Sequence, residues 1–496
     1  MKPKAWSESP GWRKYLVPAV IPAALVLLNL VLRTLWLGHR DLAQDEPFTL
    51  FYAQADFRTL FEMLKSENNP PLHFILMHFW IRLFGISPFA VRFPSMLFST
   101  GAVYFLYRIG KDHLSVRTGI LGALFFTFSN YEMQFAHEAR VYPLFVFLTL
   151  LSMFLYLRMY SNPESKKTAA AYLLTGILLV YSHFFGWIVL LLQLFCSMVF
   201  REFRQRVLRK TVWGFLGVLI GFLPYFFVLI TRFTTTLSTG TWVPAPVISD
   251  LYTMVWRFSN APVTTVFFLS SMTLAFILFA VRAKSNSRVN PVTAFILVWF
   301  FLPYLLMFLV SFRLPMFLDR YLVFVSPAFF LLVARSLDYL GSRAPVYFLL
   351  SLAALSLMIA TFKPDPDNNR RIKEAVLKIR ELKTPGTTVF ICPGWLDKGF
   401  AYYYDPEIFR DYRDFTGRLN RSGVFALLRP EQMDTNLVKG SREILYFEEW
   451  SSLVDPDHRI YTYFKDHFGS RETFSFRESF ILTRFYNSRQ ALKEVN

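Results

Sequence analysis

Two adjacent acids, Asp45 and Glu46, stand in HRDLAQDEPFTLFY (39–52), a few residues after an apolar run long enough to cross a bilayer. Carboxylates at a membrane boundary are costly to desolvate, and charges held there point to function or to pairing. Three other stretches carry comparable groups: Glu138 and Arg140 in SNYEMQFAHEARVYPLF, His183 in YSHFFGW, and Arg313, Asp319 and Arg320 in SFRLPMFLDRYLVF. A carboxylate that takes a proton from a hydroxyl, with arginines to neutralise a departing phosphate, suits group transfer away from a phosphate ester. Phosphate leaves as a stabilised anion, so that side needs no general acid. Each group also has a plainer reading. Glu138 and Arg140 can pair with each other, Asp319 and Arg320 can form a surface pair worth little, and His183 can be a packed histidine. Arg320 can snorkel to headgroups. Asp45 and Glu46 resist this treatment, because adjacent like charges repel unless solvent or a partner compensates.

The elements that position these groups are membrane spans. The chain has 496 residues, 54% hydrophobic and only 18% charged, with a mean hydropathy of +0.35. A soluble domain carries about 25% charged residues. Apolar runs of about 17 to 22 residues, the bilayer-crossing length, recur from 15 to 361. We read eleven spans: 15–37, 88–107, 114–131, 142–158, 168–184, 186–200, 211–231, 263–281, 291–311, 320–335 and 344–361. The first follows WRKYL without a small-residue cleavage site and reads as a retained helix, not a signal peptide. NPPLHFILMHFWIRLFG (69–85) is interrupted by His73, His78 and Arg82, and reads as a juxtamembrane helix in the first outer loop. With these spans, one set of loops holds 20 Lys and Arg against five acids, and the other 11 against ten. The basic set is cytoplasmic by the positive-inside rule, which puts Asp45, Glu46, Glu138, Arg140, His183 and Arg320 on the extracytoplasmic side. The net charge of +18 thus sets orientation and gives no reason to expect nucleic acid as a partner.

After Phe362 the composition changes. The last 134 residues carry 22 Lys and Arg against 20 Asp and Glu, the balance of a soluble domain. We divide the chain into a membrane domain, 1–362, and an extracytoplasmic domain, 363–496. NNRRIKEAVLKIRELK has the spacing of an amphipathic helix, GTTVFICPG and EILYFEEW read as buried strands, and RETFSFRESFILTRFYN as paired strands. The second domain is therefore a small α/β unit. Cys196 and Cys392 fall in a span and a strand, and resemble neither a disulfide nor a metal cluster. DPD (365–367) has a metal-binding spacing but sits in a Pro-rich linker, and GWLDKGF (394–400) lacks the second tryptophan and the tyrosine of the oligosaccharyltransferase WWDYG signature.

QDEPFTLFYA, NNPPLHFILMHFWIRLFGISPFAVRFPS, QFAHEARVYPLF, YSHFFGW and DRYLVFVSPAFF, in this order and on one side, resemble glycosyltransferase family 39 of the GT-C glycosyltransferases. That group includes protein O-mannosyltransferases and, as a relative, the lipid A aminoarabinose transferase. The resemblance covers about residues 15 to 335. It implies an all-α polytopic membrane domain of GT-C type and an inverting transfer from a polyprenyl-phosphate sugar to a hydroxyl of an extracytoplasmic acceptor, be it glycan, lipid or protein. Asp45 matches the general base, with Glu46 beside it, and Arg320 the group near the lipid phosphate. Glu138 and Arg140 match a sugar or acceptor pocket, as does His183 without a defined role. Some relatives hold a metal near the site, and the resemblance leaves a divalent ion open; the spacing here carries no metal signature of its own. The outer loop 231–262 is too small for the inserted domain of the eukaryotic O-mannosyltransferases, which favours a bacterial inner-membrane enzyme. Asn69 stands where the aminoarabinose transferase has a lysine. The other function class is a transporter or flippase for lipid-linked glycans. Transporters place their sites near the midplane, often between internal repeats, and no repeat is evident here.

Overall fold

The computed structural model describes residues 11–239, 243–282, 289–364, 370–477 and 480–487. DPD (365–367) lies outside them. The chain forms two compact units. One comprises 1–35, 64–73 and 92–364, the other 36–63, 74–91 and 365–496. The second unit thus draws on most of the segment between α1 and α5 as well as on the C-terminal part of the chain.

In chain order the helices up to residue 361 are α1 (Gly11–Thr34), α2 (Asp45–Gln54), α3 (Phe57–Leu64), α4 (Leu72–Phe84), α5 (Pro88–His113), α6 (Val116–Thr127), α7 (Asn130–Ala136) and α8 (Tyr142–Ser161). They continue as α9 (Lys166–Ser182), α10 (Gly186–Val199), α11 (Arg201–Thr239), α12 (Ile248–Phe258), α13 (Pro262–Arg282), α14 (Pro291–Val310), α15 (Ser326–Leu340) and α16 (Ala344–Thr361). A helix occupies most of every expected span. Among the described residues six are long and apolar enough to cross a membrane unaided: α5, α8, α11, α13, α14 and α16. By rise per residue α6 covers only about 18 Å, short of a ~30 Å hydrocarbon core.

Three boundaries differ from expectation. REFRQRVLRK was expected as a loop and is instead the first part of α11, a 39-residue helix of about 58 Å. Lys and Arg are themselves good helix formers, so the charged run continues the helix instead of ending it. The span expected over 320–335 begins only at Ser326, where Pro327 pre-sets the first turn; Asp319–Tyr321 is a separate 3-10 turn. The run 114–131 breaks after Thr127, where Ser129 accepts from the Glu132 amide and starts α7.

Small residues let the helices of the first unit approach closely. A Cβ on Gly119 would lie 2.6 Å from the Tyr107 carbonyl oxygen, and one on Gly110 2.6 Å from Gly119 Cα, so α5 and α6 meet almost backbone to backbone. Deeper in, Trp299 is fully buried and its indole donates to the Phe324 carbonyl at 2.9 Å.

In the second unit the remaining elements are α17 (Ile372–Leu382), β1 (Thr387–Cys392), α18 (Asp397–Tyr404), α19 (Pro406–Arg410), α20 (Phe415–Arg421), β2 (Val424–Ala426), α21 (Thr435–Gly440), β3 (Glu443–Glu448), α22 (Arg459–His467), β4 (Ser470–Phe476) and β5 (Phe480–Tyr486). The sheet order is β2-β1-β3-β5-β4, with β2, β1 and β3 parallel and β5 and β4 antiparallel. β1 and β3 are buried along nearly their whole length, as strands covered on both faces are. The expected helix, both buried strands and the strand pair are all present.

Gly119→Leu is expected to lower stability by about 1–3 kcal/mol through overpacking. This would appear as a lower thermal midpoint in detergent, with Gly440→Ala, whose Cβ would meet nothing within 4 Å, as the unaffected control.

Candidate functional site

In the first unit, α7 organises the charged turns. Arg33 from α1 is fully buried and donates to the Thr127 and Phe126 carbonyls at 2.9 and 3.0 Å, at the end of α6 where carbonyls run short of helical donors. His137, which caps α7, contacts the Arg33 carbonyl through Nε2 at 2.8 Å. Tyr131 on α7 donates to the Asp319 carbonyl, and the Ser326 hydroxyl donates to the buried Glu132 carboxylate, so α7 holds both ends of the turn that carries Arg320. The Asp319 side chain accepts from the Arg320 amide at 2.7 Å and pairs with Arg257 of α12. The surface pair read for Asp319 and Arg320 is thus not the pair that forms. Asp319 shapes the turn, and Arg320 is half-buried at its centre.

The other two charged turns meet this one through rings. His183 caps α9, is 3% exposed, and stacks on Phe145 at 4.7 Å with 17° between planes. Its ring lies 6.1 Å from Tyr321 and 6.4 Å from Tyr142. The Phe185 amide donates to its Nδ1 at 3.1 Å, which fixes the ring in the turn. Arg140 is buried on the chain leading into α8, and its carbonyl accepts from Ser95; Glu138 is half-buried. His73 is also buried here, and burial together with the Arg140 charge pushes it down to about 3, so it is neutral. The structure therefore brings together the turns carrying Arg140, His183 and Arg320. Arg33, Glu132, Arg257 and His73 are members that sequence reading passed over; the signal for the first two was a charge buried next to an apolar run. Asn69 is buried and donates to Glu67 at 2.9 Å.

In the second unit, Asp45 and Glu46 form the first turn of α2, where the helix dipole favours carboxylates. They fare differently. Glu46 is 2% exposed and takes Arg370 Nη1 at 2.6 Å, while Asp45 is exposed. Gln44, just before them, has φ 57, a region that non-glycine residues seldom adopt and that clusters at functional sites. The segment is held by the C-terminal part of the chain. Asp41 accepts from the Lys373 amide at 2.9 Å, and the Leu42 amide donates to the Tyr403 hydroxyl at 2.6 Å. Phe51 packs on Phe409 and Phe415 at 5.9 and 4.7 Å, with Lys398 over the Phe51 ring at 5.3 Å. The repulsion that made the acid pair hard to dismiss is answered by a cation 324 residues away in sequence.

Among the described residues no group of three or more His, Cys, Asp or Glu is placed to hold a metal ion. Both cysteines are free and buried.

Residues 68–230 match the family model described as dolichyl-phosphate-mannose-protein mannosyltransferase. Among solved structures, the chain is similar to ArnT from Cupriavidus metallidurans bound to undecaprenyl phosphate, at 14% identity and a TM-score of 0.59, over 95% of this chain and 98% of that one. The apo form of the same protein gives 13% and 0.62, over 94% and 98%. The archaeal oligosaccharyltransferase AglB from Archaeoglobus fulgidus, in complex with an inhibitory peptide and a dolichol-phosphate, gives 12% and 0.54, over 88% and 70%. No curated protein matches the sequence. The GT-C fold and the resemblance to membrane glycosyltransferases read from the motifs are borne out.

Arg370→Met is expected to destabilise the protein by about 3–5 kcal/mol, since it leaves Glu46 buried and unpaired. Adding Glu46→Gln should return much of the loss. Denaturant midpoints of the single and double variants decide it; unchanged stability of the single variant would mean the pair is dispensable.

Proposed function

We propose that the chain is a membrane-bound inverting glycosyltransferase. It moves a sugar from a polyprenyl-phosphate donor to a hydroxyl of an acceptor outside the cytoplasm. Asp45 is the general base: it takes the acceptor proton as that oxygen attacks the anomeric carbon from the face opposite the phosphate. The bond from anomeric carbon to phosphate oxygen breaks in the same displacement, so configuration inverts and polyprenyl phosphate departs as an anion. Arg320 receives that negative charge. Arg140, Glu138 and His183 bind sugar or acceptor. The protein crosses the inner membrane of a bacterium eleven times, with its N-terminus in the cytoplasm and its C-terminal domain outside. The match of 68–230 to a polyprenyl-phosphate-dependent family, and a fold shared nearly end to end with a protein that binds undecaprenyl phosphate, support the donor class.

The observation that carries the assignment of roles is the division of the acid pair. Glu46 is engaged by Arg370 in a buried ion pair, and Asp45 is exposed on the first turn of α2. A buried, cation-paired carboxylate is a poor proton acceptor, because protonation would leave Arg370 unmatched.

Purified protein given a labelled polyprenyl-phosphate sugar and cell-envelope acceptor should release polyprenyl monophosphate. Asp45→Asn should lower kcat by about 10²–10⁴-fold, the range for loss of a general base, with expression unchanged. Arg320→Ala should raise the donor KM by about 10–100-fold, from loss of a charge-assisted contact. Full activity of Asp45→Asn would remove it from the mechanism, and movement of intact lipid between leaflets without sugar release would make the protein a transporter.

A further inference from the structure

The sheet of the second unit has a divergence that the transfer chemistry does not use. The chain leaves β1 toward β2 on one side and leaves β3 toward the β4–β5 pair on the other. Adjacent parallel strands whose exits part in this way open a crevice at their carboxyl ends, where open α/β sheets take ligands. At the end of β3, on its β5 side, lies a cavity of about 480 Å³, lined among others by Glu448, Glu449, Trp450, His458, Tyr461 and Ile481. That volume is within the range of small-molecule sites.

Three features of the lining point to an occupant. Glu449 is 6% exposed, yet its carboxylate accepts no hydrogen bond among the described residues, and burial pushes it up to about 7 against the pull of Arg370. A buried carboxylate without donors is expensive unless something else brings them. Next to it, Trp450 is 61% exposed with φ 52, and His458 across the lining has φ 52 as well. Non-glycine residues held at positive φ in the lining of a cavity are the kind of strain that persists where a site needs it. The indole offers a flat apolar face, and the acids offer acceptors. Arg370 already supplies positive charge to Glu449. Glu448 already accepts from the Ser451 hydroxyl, so the acceptor left for an occupant is chiefly Glu449.

We propose that this cleft binds a saccharide, its hydroxyls donating chiefly to Glu449 and one sugar face lying against Trp450. That the saccharide belongs to the acceptor rests on the transferase reading; the binding itself does not.

Saturation-transfer NMR on the full-length protein in detergent, without donor lipid, tests the binding with maltotriose, cellotriose and chitotriose as probes. At least one should receive saturation, and Trp450→Ala and Glu449→Gln should each weaken its binding at least tenfold. Trp395→Ala, exposed but outside the lining, should leave it unchanged. Glu449→Gln keeps the side-chain shape, so it decides the matter if Trp450→Ala misfolds. The proposal falls if no probe binds, if binding survives Glu449→Gln, or if Trp450 is quenched by brominated phospholipid vesicles and no sugar competes, which would make the patch a membrane contact. If binding and transfer both hold, Glu449→Gln should raise the acceptor KM about tenfold and leave the donor KM alone. Binding without any transfer would spare the cleft and sink only the enzymatic reading.

Discussion

A single buried ion pair, Glu46 with Arg370, decides what the acid pair at the head of α2 can do. Two carboxylates in consecutive positions cannot both be desolvated cheaply, and a fold that buries one must bring it a cation. That cation comes from the start of the C-terminal segment, whose α17, α18, α19 and α20 also hold the chain on either side of Asp45. The second unit is therefore more than a cap made of the last 134 residues. It is assembled around the segment that carries the proposed base, and its helices α18, α19 and α20 back a short helix that could not hold a fixed geometry alone.

The first unit solves a related problem by different means. Its charged groups sit on turns between helices, and turns need fixing before they can present a side chain reproducibly. α7 does this with Tyr131, Glu132 and His137, which reach the 319–326 turn and the buried Arg33, while His183 is wedged among Phe145, Tyr142 and Tyr321. Each unit thus spends buried polar contacts on placing one exposed or half-buried charge: Asp45 in one, Arg320 in the other.

Much of this was legible in the chain itself. Apolar runs located a helix in each expected span, since hydrocarbon thickness leaves few ways to satisfy the backbone, but the short helices α2, α3, α7 and α12 between them gave no such signal. Alternating helix and strand signals located α17, β1, β3 and the β4–β5 pair after 370, while β2 and the short helices α18 to α22 were not read. The gaps were of two kinds. Helix ends set by local chemistry escaped, as at Ser129, which restarts the helix as α7, and at Pro327, which delays α15 past the Arg320 turn. Pairings across long stretches of sequence escaped too. Arg370 reads as one of several basic residues in a linker, and Arg257 as a lone charge in an outer loop, until the fold sets them against Glu46 and Asp319. No spacing rule links residues 324 apart.

The account stands or falls on which side of the membrane Asp45 faces. A variant lacking both native cysteines and carrying Asp45→Cys can be treated in intact spheroplasts with a membrane-impermeant maleimide. Rapid modification without permeabilising the cells is the predicted result. Modification only after the membrane is opened to the cytoplasmic side would contradict it, since no polyprenyl-linked sugar on the outer leaflet could then meet the proposed base.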